Sequence, residues 1–224
     1  MGSTRIKEAF GWWLPTYDTL FSHPNGLLGK EFGEYQVEVR QRSFEDARKR
    51  NCAIDIGAHI GLWAREMAYN FDNVVAFEPD STNRECFFKN VKESNVTLHP
   101  YAIGNKSGNC SVQRHEDYNS GSGYVIEESD IQGLWGIEEY NIKIRTLDSF
   151  LIPNIDYIKI DVEEYEMKVL EGAKRTLNEF HPVVVIEIGD HVSDAKDSEP
   201  YKFLTNMGAK FITKYSRDCI FSWE

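Results

Sequence analysis

From residue 51 onward, short apolar runs alternate with segments whose apolar residues recur at helical spacing. The runs "NCAIDIG" (51–57), "NVVAFEPD" (73–80), "VTLHPYAIG" (96–104), "IDYIKID" (155–161) and "PVVVIEI" (182–188) are short and rich in β-branched residues, and read as buried strands. Pro100 interrupts the third. Between the first two, Ile60, Trp63, Ala64, Met67, Ala68 and Phe71 fall on one helical face, as Met167, Val169, Leu170 and Ala173 do after the fourth. "TNRECFFKNVKESN" and "YKFLTNMG" read as further helices, the first capped by Ser81. "AKFITKYS" and "DCIFSW" are separated by a tight turn, which predicts an antiparallel pair. Strands alternating with helices predict an α/β fold: a Rossmann-like, doubly wound, mostly parallel sheet with an antiparallel C-terminal strand pair.

Two regions depart from this alternation. Residues 105–150, with "NSGSG" at 119–123, read as strands and loops inserted between units. Residues 1–42 carry Trp12, Trp13, Tyr17, Phe21 and Phe32 without clear periodicity and read as an N-terminal extension packed on a core of residues 43–224. Ser43 is expected to cap a short helix, with Glu45 and Asp46 in its first turn and Arg48–Arg50 at its C-terminal end.

Composition narrows the function classes. The chain has 224 residues, 41% of them hydrophobic, enough for one large or two small domains. Its longest apolar runs fall far short of the roughly 20 residues that span a bilayer, so no membrane insertion is expected. The N-terminus has no apolar signal core, and Ile6 stands where a myristoylation motif takes Ser or Thr; a cytoplasmic location is the default. Four scattered cysteines match neither a zinc site nor a disulfide scaffold. A net charge of −11 argues against a broad nucleic acid contact. Oligomeric state is not legible.

The chemistry concentrates where "IDIGAHIG" leaves the first strand. Asp55 ends that strand, and Gly57, Ala58, His59 and Gly61 form a small-residue turn before the helix, suited to close approach of a ligand at the carboxyl edge of the sheet. The second strand ends at Glu78, followed by Pro79. An acid at that spacing can accept from both hydroxyls of a ribose. The turn is Asp-x-Gly-x-x-x-Gly, not the Gly-x-Gly-x-x-Gly of dinucleotide enzymes, and no phosphate loop occurs. S-adenosyl-L-methionine, with a ribose and an amino acid end but no pyrophosphate, suits it best; NAD is the alternative.

With "IDIGAHIGLWA", "AFEPD", "YAIGNKSG", "RTLDSFL", "IDYIKIDVEEYEMKVLEGA" and "PVVVIEI" in order over about residues 51–190, the chain resembles the FkbM-type methyltransferases of the class I, S-adenosylmethionine-dependent fold. The resemblance implies O-methylation, with a saccharide or small hydroxylated molecule as acceptor; the alternatives are methylation of an amine or protein side chain, or a non-catalytic cofactor-binding module. Two positions depart from the family pattern: His59 replaces the usual asparagine, and Glu164-Tyr165 replace Gly-Ala, which is expected to narrow the acceptor opening.

Methyl transfer to a hydroxyl requires alignment and a general base. The strand-end carboxylates Asp161 and Glu187 are the first candidates and Glu163 the third. Ala102 and Ile103 are expected beside the adenine, and Asn119 and Ser120 in a loop, 117–124, over the cofactor's methyl end. The acidic run from Asp161 to Glu166 has the ligand chemistry of a divalent cation site, but a negatively charged first helical turn accounts for it, and no metal is assigned.

Overall fold

The structure, a computed structural model, describes residues 5–23, 35–114, 118–127, 137–189 and 194–223, with side chains described for all of these but 114 and 137–140. It opens with a hairpin, β1 (Ile6–Ala9) and β2 (Trp12–Pro15), whose two-residue loop places Phe10 at φ 53° and Gly11 at φ 77°. Two positive φ angles match the right-handed twist of the paired strands. After it come α1 (Val37–Asp46), β3 (Cys52–Ile56), α2 (Leu62–Ala68), β4 (Asn73–Phe77), α3 (Ser81–Asn90), β5 (Val96–His99), β6 (Tyr101–Ile103), β7 (Gly108–Arg114), β8 (Gly123–Glu127) and β9 (Ile137–Arg145). The remainder is β10 (Ile155–Ile160), α4 (Glu166–Glu171), α5 (Lys174–Phe180), β11 (Val183–Glu187), α6 (Glu199–Asn206), β12 (Lys210–Tyr215) and β13 (Asp218–Ser222).

The main sheet has the order β12-β13-β11-β10-β3-β4-β5. Strands β5, β4, β3, β10 and β11 are parallel, and β13 runs antiparallel to both β11 and β12. The expected class of fold and the antiparallel C-terminal pair are both present. Chain order runs outward from β3 to β5 and resumes at β10 on the other side of β3. The edge between β3 and β10 is therefore the switch point at which ligands gather in such sheets. Pro100 divides the third strand into β5, in the main sheet, and β6, in a second sheet of order β6-β9-β7-β8.

Alternation along the strands feeds two cores. Ile54, Ile56, Ile158, Ile160 and Ile186 pack against Val169, Leu170, Leu177 and Leu204 of α4, α5 and α6. On the opposite face Ala53, Val74, Tyr157 and Val185 pack against Phe44, Trp63 and Met67 of α1 and α2. The hairpin lies over the outer side of the second layer, where Trp12 and Leu14 join Ile60, Leu62 and Cys86. Asn90 fastens it there: its Oδ1 accepts the Trp13 N–H at 2.8 Å, and its Nδ2 donates to the carbonyls of Trp13 and Ile60.

Two helix starts differ from expectation. Asp80, not Ser81, caps α3, its Oδ1 accepting from the N–H groups of Thr82 and Asn83. Ser43 caps nothing: it is buried near the end of α1, with its hydroxyl 2.8 Å from the Tyr157 hydroxyl. Burial of Val39 and Phe44 extends this helix N-terminally past the polar residues that suggested a start. The basic cluster does meet a helix C-terminus, since Arg50 Nη2 donates to Phe44 O at 2.6 Å.

Candidate functional site

Two adjoining cavities open at the switch point, holding about 620 and 820 Å³ of empty space including the solvent at their mouths. They share Gly57, His59, Gly121 and Asp161. The first lies between β3, β4 and the second sheet, and combines Glu78, Pro79 and Asn83 with apolar walls from Phe77, Ala102 and Ile103. The second has aromatic walls, Phe21, Tyr35 and Trp63, facing the polar groups Lys159, Asp161, Glu163, Glu187 and Arg217.

The glycine turn is folded back on the protein. The N–H groups of Gly57 and Ala58 both donate to Phe77 O, at 3.1 and 3.0 Å, and that of His59 donates to Glu78 Oε2 at 2.8 Å. Gly57 has φ 81°, and a Cβ there would meet the Asp161 carbonyl oxygen at 1.8 Å. Only glycine lets the turn lie against the end of β10. Gly61 serves packing instead: a Cβ there would meet Val91 at 2.4 Å, on the side of α3.

Glu78 is thus held on both oxygens, Oε2 by His59 N–H and Oε1 by Asp80 N–H at 2.8 Å. Each oxygen keeps lone-pair capacity toward the cavity. Burial, with Asp80 nearby, pushes its carboxyl up to about 7. The His59 ring, 2.7 Å from Ser120 Oγ, is pushed down to about 4 by burial and is neutral at physiological pH.

Strand register builds the charged floor of the second cavity. Lys159 lies directly beside Asp55 in the β3–β10 ladder, and Asp161 follows on the same face. Lys159 Nζ lies 3.6 Å from Asp55 Oδ1 and 3.3 Å from Asp161 Oδ2, and donates to Gly57 O at 3.1 Å. Burial opposes ionisation of Asp161, but Lys159 and the hydrogen bond from Glu187 together more than offset it and hold the carboxyl below its ordinary value. Glu187 is pushed up to about 10 by burial and by Asp161, to which it donates a hydrogen bond, and Arg217 Nε lies 3.1 Å from its Oε1. Glu163, at φ 49°, is pushed up to about 7 by burial and Asp161. Asp161, Glu163 and Glu187 each offer an oxygen within 4.8 Å of the others, the spacing of a cation site, but Lys159 and Arg217 already supply positive charge there.

Of the residues singled out from sequence, Gly57, His59, Glu78, Pro79, Ala102, Ile103, Ser120 and Asp161 line the first cavity. Ala58, Asn119, Glu163 and Glu187 line the second. Asp55 and Gly61 line neither: Asp55 lies fully buried beneath Lys159, and Gly61 packs on α3. Residue 117 falls outside the described residues. Glu164 and Tyr165 do not narrow either cavity. Glu164 is exposed, and Tyr165 is buried under the second sheet with its hydroxyl donating to Glu127 Oε1 at 2.7 Å. Asp18, Tyr35, Gln36 and Arg217 were not legible as site residues, since each arrives from a segment remote in sequence.

Residues 55–219 match the family model of the methyltransferase FkbM domain. The chain is 28% identical over 187 residues to the hexuronic acid methyltransferase AglP of Haloferax volcanii, covering 82% of this chain and 74% of that protein. It is 24% identical over 163 residues to Methyltransferase 1 of Beauveria bassiana, covering 63% and 66%. Among solved structures, Methyltransferase FkbM from Methylobacillus flagellatus KT superposes with a TM-score of 0.53 at 18% identity, over 77% of this chain and 43% of that one. This chain therefore spans less than half of that protein. The precorrin-6y C5,15-methyltransferase of Geobacter metallireducens GS-15 superposes with a TM-score of 0.51 at 14% identity, over 93% and 99%, which is likeness of fold alone.

Proposed function

Because the chain belongs to the methyltransferase FkbM domain family, whose cofactor is S-adenosylmethionine, we propose that it methylates a hydroxyl of a saccharide or small hydroxylated metabolite. When bound, the cofactor supplies a methyl group on a sulfonium, an electrophile that needs alignment more than activation. The residues present fit it. Glu78 offers a carboxylate to a ribose, Phe77, Ala102 and Ile103 offer apolar walls to an adenine, and Gly57 lets the turn that lines both cavities lie against the end of β10.

One observation carries the acceptor reading. The second cavity shares Gly57, His59, Gly121 and Asp161 with the first, and carboxylates stand at that junction. A hydroxyl held there has a proton acceptor beside the methyl end. Glu163 is the base in this reading. Its carboxyl near 7 is matched to the operating pH, and it makes no hydrogen bond with another described residue. Asp161 is tied to Lys159 and orients the floor, while Glu187, protonated at neutral pH, donates to Asp161. Residues 118–124 wall both cavities, Ser120 in the first and Asn119 in the second, and close the methyl end from water. The likeness to a hexuronic acid methyltransferase supports a saccharide acceptor.

Incubation with methyl-labelled S-adenosylmethionine and a panel of neutral, amino and uronic acid glycosides tests this. A labelled methyl ether, located by fragmentation, is the expected product. Label transferred only to amines or protein, with no ether in any glycoside or metabolite extract, would reject it.

A further inference from the structure

Asp18 lies after the β1–β2 hairpin and is fully buried, lining neither cavity. Its Oδ1 accepts the Phe21 N–H at 2.9 Å, and its Oδ2 accepts both the N–H and the hydroxyl of Ser120, at 2.8 and 2.6 Å. A carboxylate only accepts, so the single hydroxyl proton of Ser120 goes to Asp18 and Ser120 Oγ is left as an acceptor. His59 Nε2, 2.7 Å from that oxygen, must then donate, which fixes the imidazole as its Nε2–H tautomer. The ring belongs to a residue held at φ 51°, a left-handed conformation that is strained outside glycine. The N–H of that same residue holds Glu78 Oε2. Phe21 packs on the ring as well, with centroids 5.1 Å apart.

Hydrogen bonds therefore run from the N-terminal segment through loop 118–122 and the glycine turn to the end of β4. We propose that Asp18 is a positioning residue for the cofactor, acting through Ser120 and His59 to hold the Glu78 carboxylate where a ribose meets it. This rests on the reading of Glu78 as the ribose ligand. It makes the N-terminal segment a working part of the cofactor site rather than a cover over the core. It also gives a reason for histidine at position 59, because only a side chain reaching Ser120 completes the connection.

Calorimetry with S-adenosylhomocysteine on the full chain tests it as a double-mutant cycle. Asp18→Asn should weaken affinity about tenfold when Glu78 is present and less than about twofold in the Glu78→Ala background, because residues of one hydrogen-bond network are not additive. Ser120→Ala should behave as Asp18→Asn does, and serves in its place if that variant folds poorly. Ser120→Thr, which keeps the hydroxyl, should restore near wild-type affinity. Equal losses in both backgrounds would mean a general structural role and overturn the inference. Affinity kept in Asp18→Asn but lost in Glu78→Ala would overturn it alone. Unchanged affinity in Glu78→Ala would overturn the ribose reading and this inference with it.

Discussion

Lys159 and Asp55 face each other across β10 and β3 with their charges 3.6 Å apart and almost no exposure to solvent. Burial opposes ionisation of Asp55, and Lys159 is its principal compensation among the described residues. Removing one member of a buried pair strands the other charge, a cost of about 3–5 kcal/mol. Lys159→Met should lose about that much stability in urea denaturation, and adding Asp55→Asn should recover a substantial part. A loss under about 1 kcal/mol for Lys159→Met would show that water compensates Asp55 instead.

Glu163 sets the expected pH dependence of turnover. A base must be ionised to act, and its carboxyl lies near 7. With cofactor saturating, which removes Glu78 from the titration, activity should rise as pH passes through about 7. Glu163→Gln should flatten that limb and lower turnover by about 10²-fold or more while leaving S-adenosylhomocysteine affinity nearly unchanged. A variant with full turnover would move the base to another group.

Metal removal should have no effect. Lys159 and Arg217 already place positive charge beside Asp161 and Glu187, which disfavours a cation there. Assays after exhaustive chelation should match untreated protein. Activity lost to chelator and restored by magnesium would assign Asp161, Glu163 and Glu187 to a metal.

Glu164 sits at φ 69°, next to Glu163 at φ 49°, where the family pattern has glycine. A left-handed conformation costs a residue with a Cβ about 1–2 kcal/mol, offset in part by the greater chain entropy that glycine loses. Glu164→Gly should therefore raise stability by about 0.5–1 kcal/mol in equilibrium unfolding. A decrease would mean that the exposed carboxylate contributes more than the strain.

Glu166 gives stability a pH term of definite sign. It is buried, accepts the Val162 N–H at 3.3 Å, and burial pushes it up to about 7. Its folded value lies above its unfolded value of about 4.3. The folded state therefore binds the extra proton between those values, and stability present at low pH is lost as pH rises through about 7. Melting temperatures of Glu166→Gln and wild type should diverge in favour of the variant between pH 5 and 8. Parallel curves would rule this out.

The segment from Cys52 to Glu78 was the most legible part of the chain, because a buried parallel strand, a glycine turn and a strand-end acid are all local patterns. Gly57 and Glu78, singled out from those patterns, line the first cavity, and Ala102 and Ile103 of the third strand join them there. The misreadings have tertiary causes. Ser43 carries a capping residue's chemistry, but tertiary burial of Val39 and Phe44 decides where α1 begins. Tyr165 departs from the family pattern next to the site, yet its ring joins the second sheet's core. Asp18 was invisible because its partner Ser120 stands 102 positions away, and no spacing rule connects a buried aspartate to a serine in a glycine-rich loop. The proposal of Glu163 as base ahead of Asp161 and Glu187 has a similar reason. Asp161 and Glu187 end strands, which sequence shows, but their proton affinities are set by Lys159 and by each other, which it does not.

The position of β13 has a consequence for biosynthesis. This strand follows all others of the main sheet in chain order, yet it lies inside the sheet, between β11 and β12. While a ribosome is still making residues 218–222, β11 displays a row of unpaired amides and carbonyls on a very apolar strand, Val183–Ile186, and β12 has no neighbour to join. Such an edge is a template for pairing with other chains. The nascent protein must keep that edge shielded until β13 has emerged, so completion of the sheet waits on contacts distant in sequence.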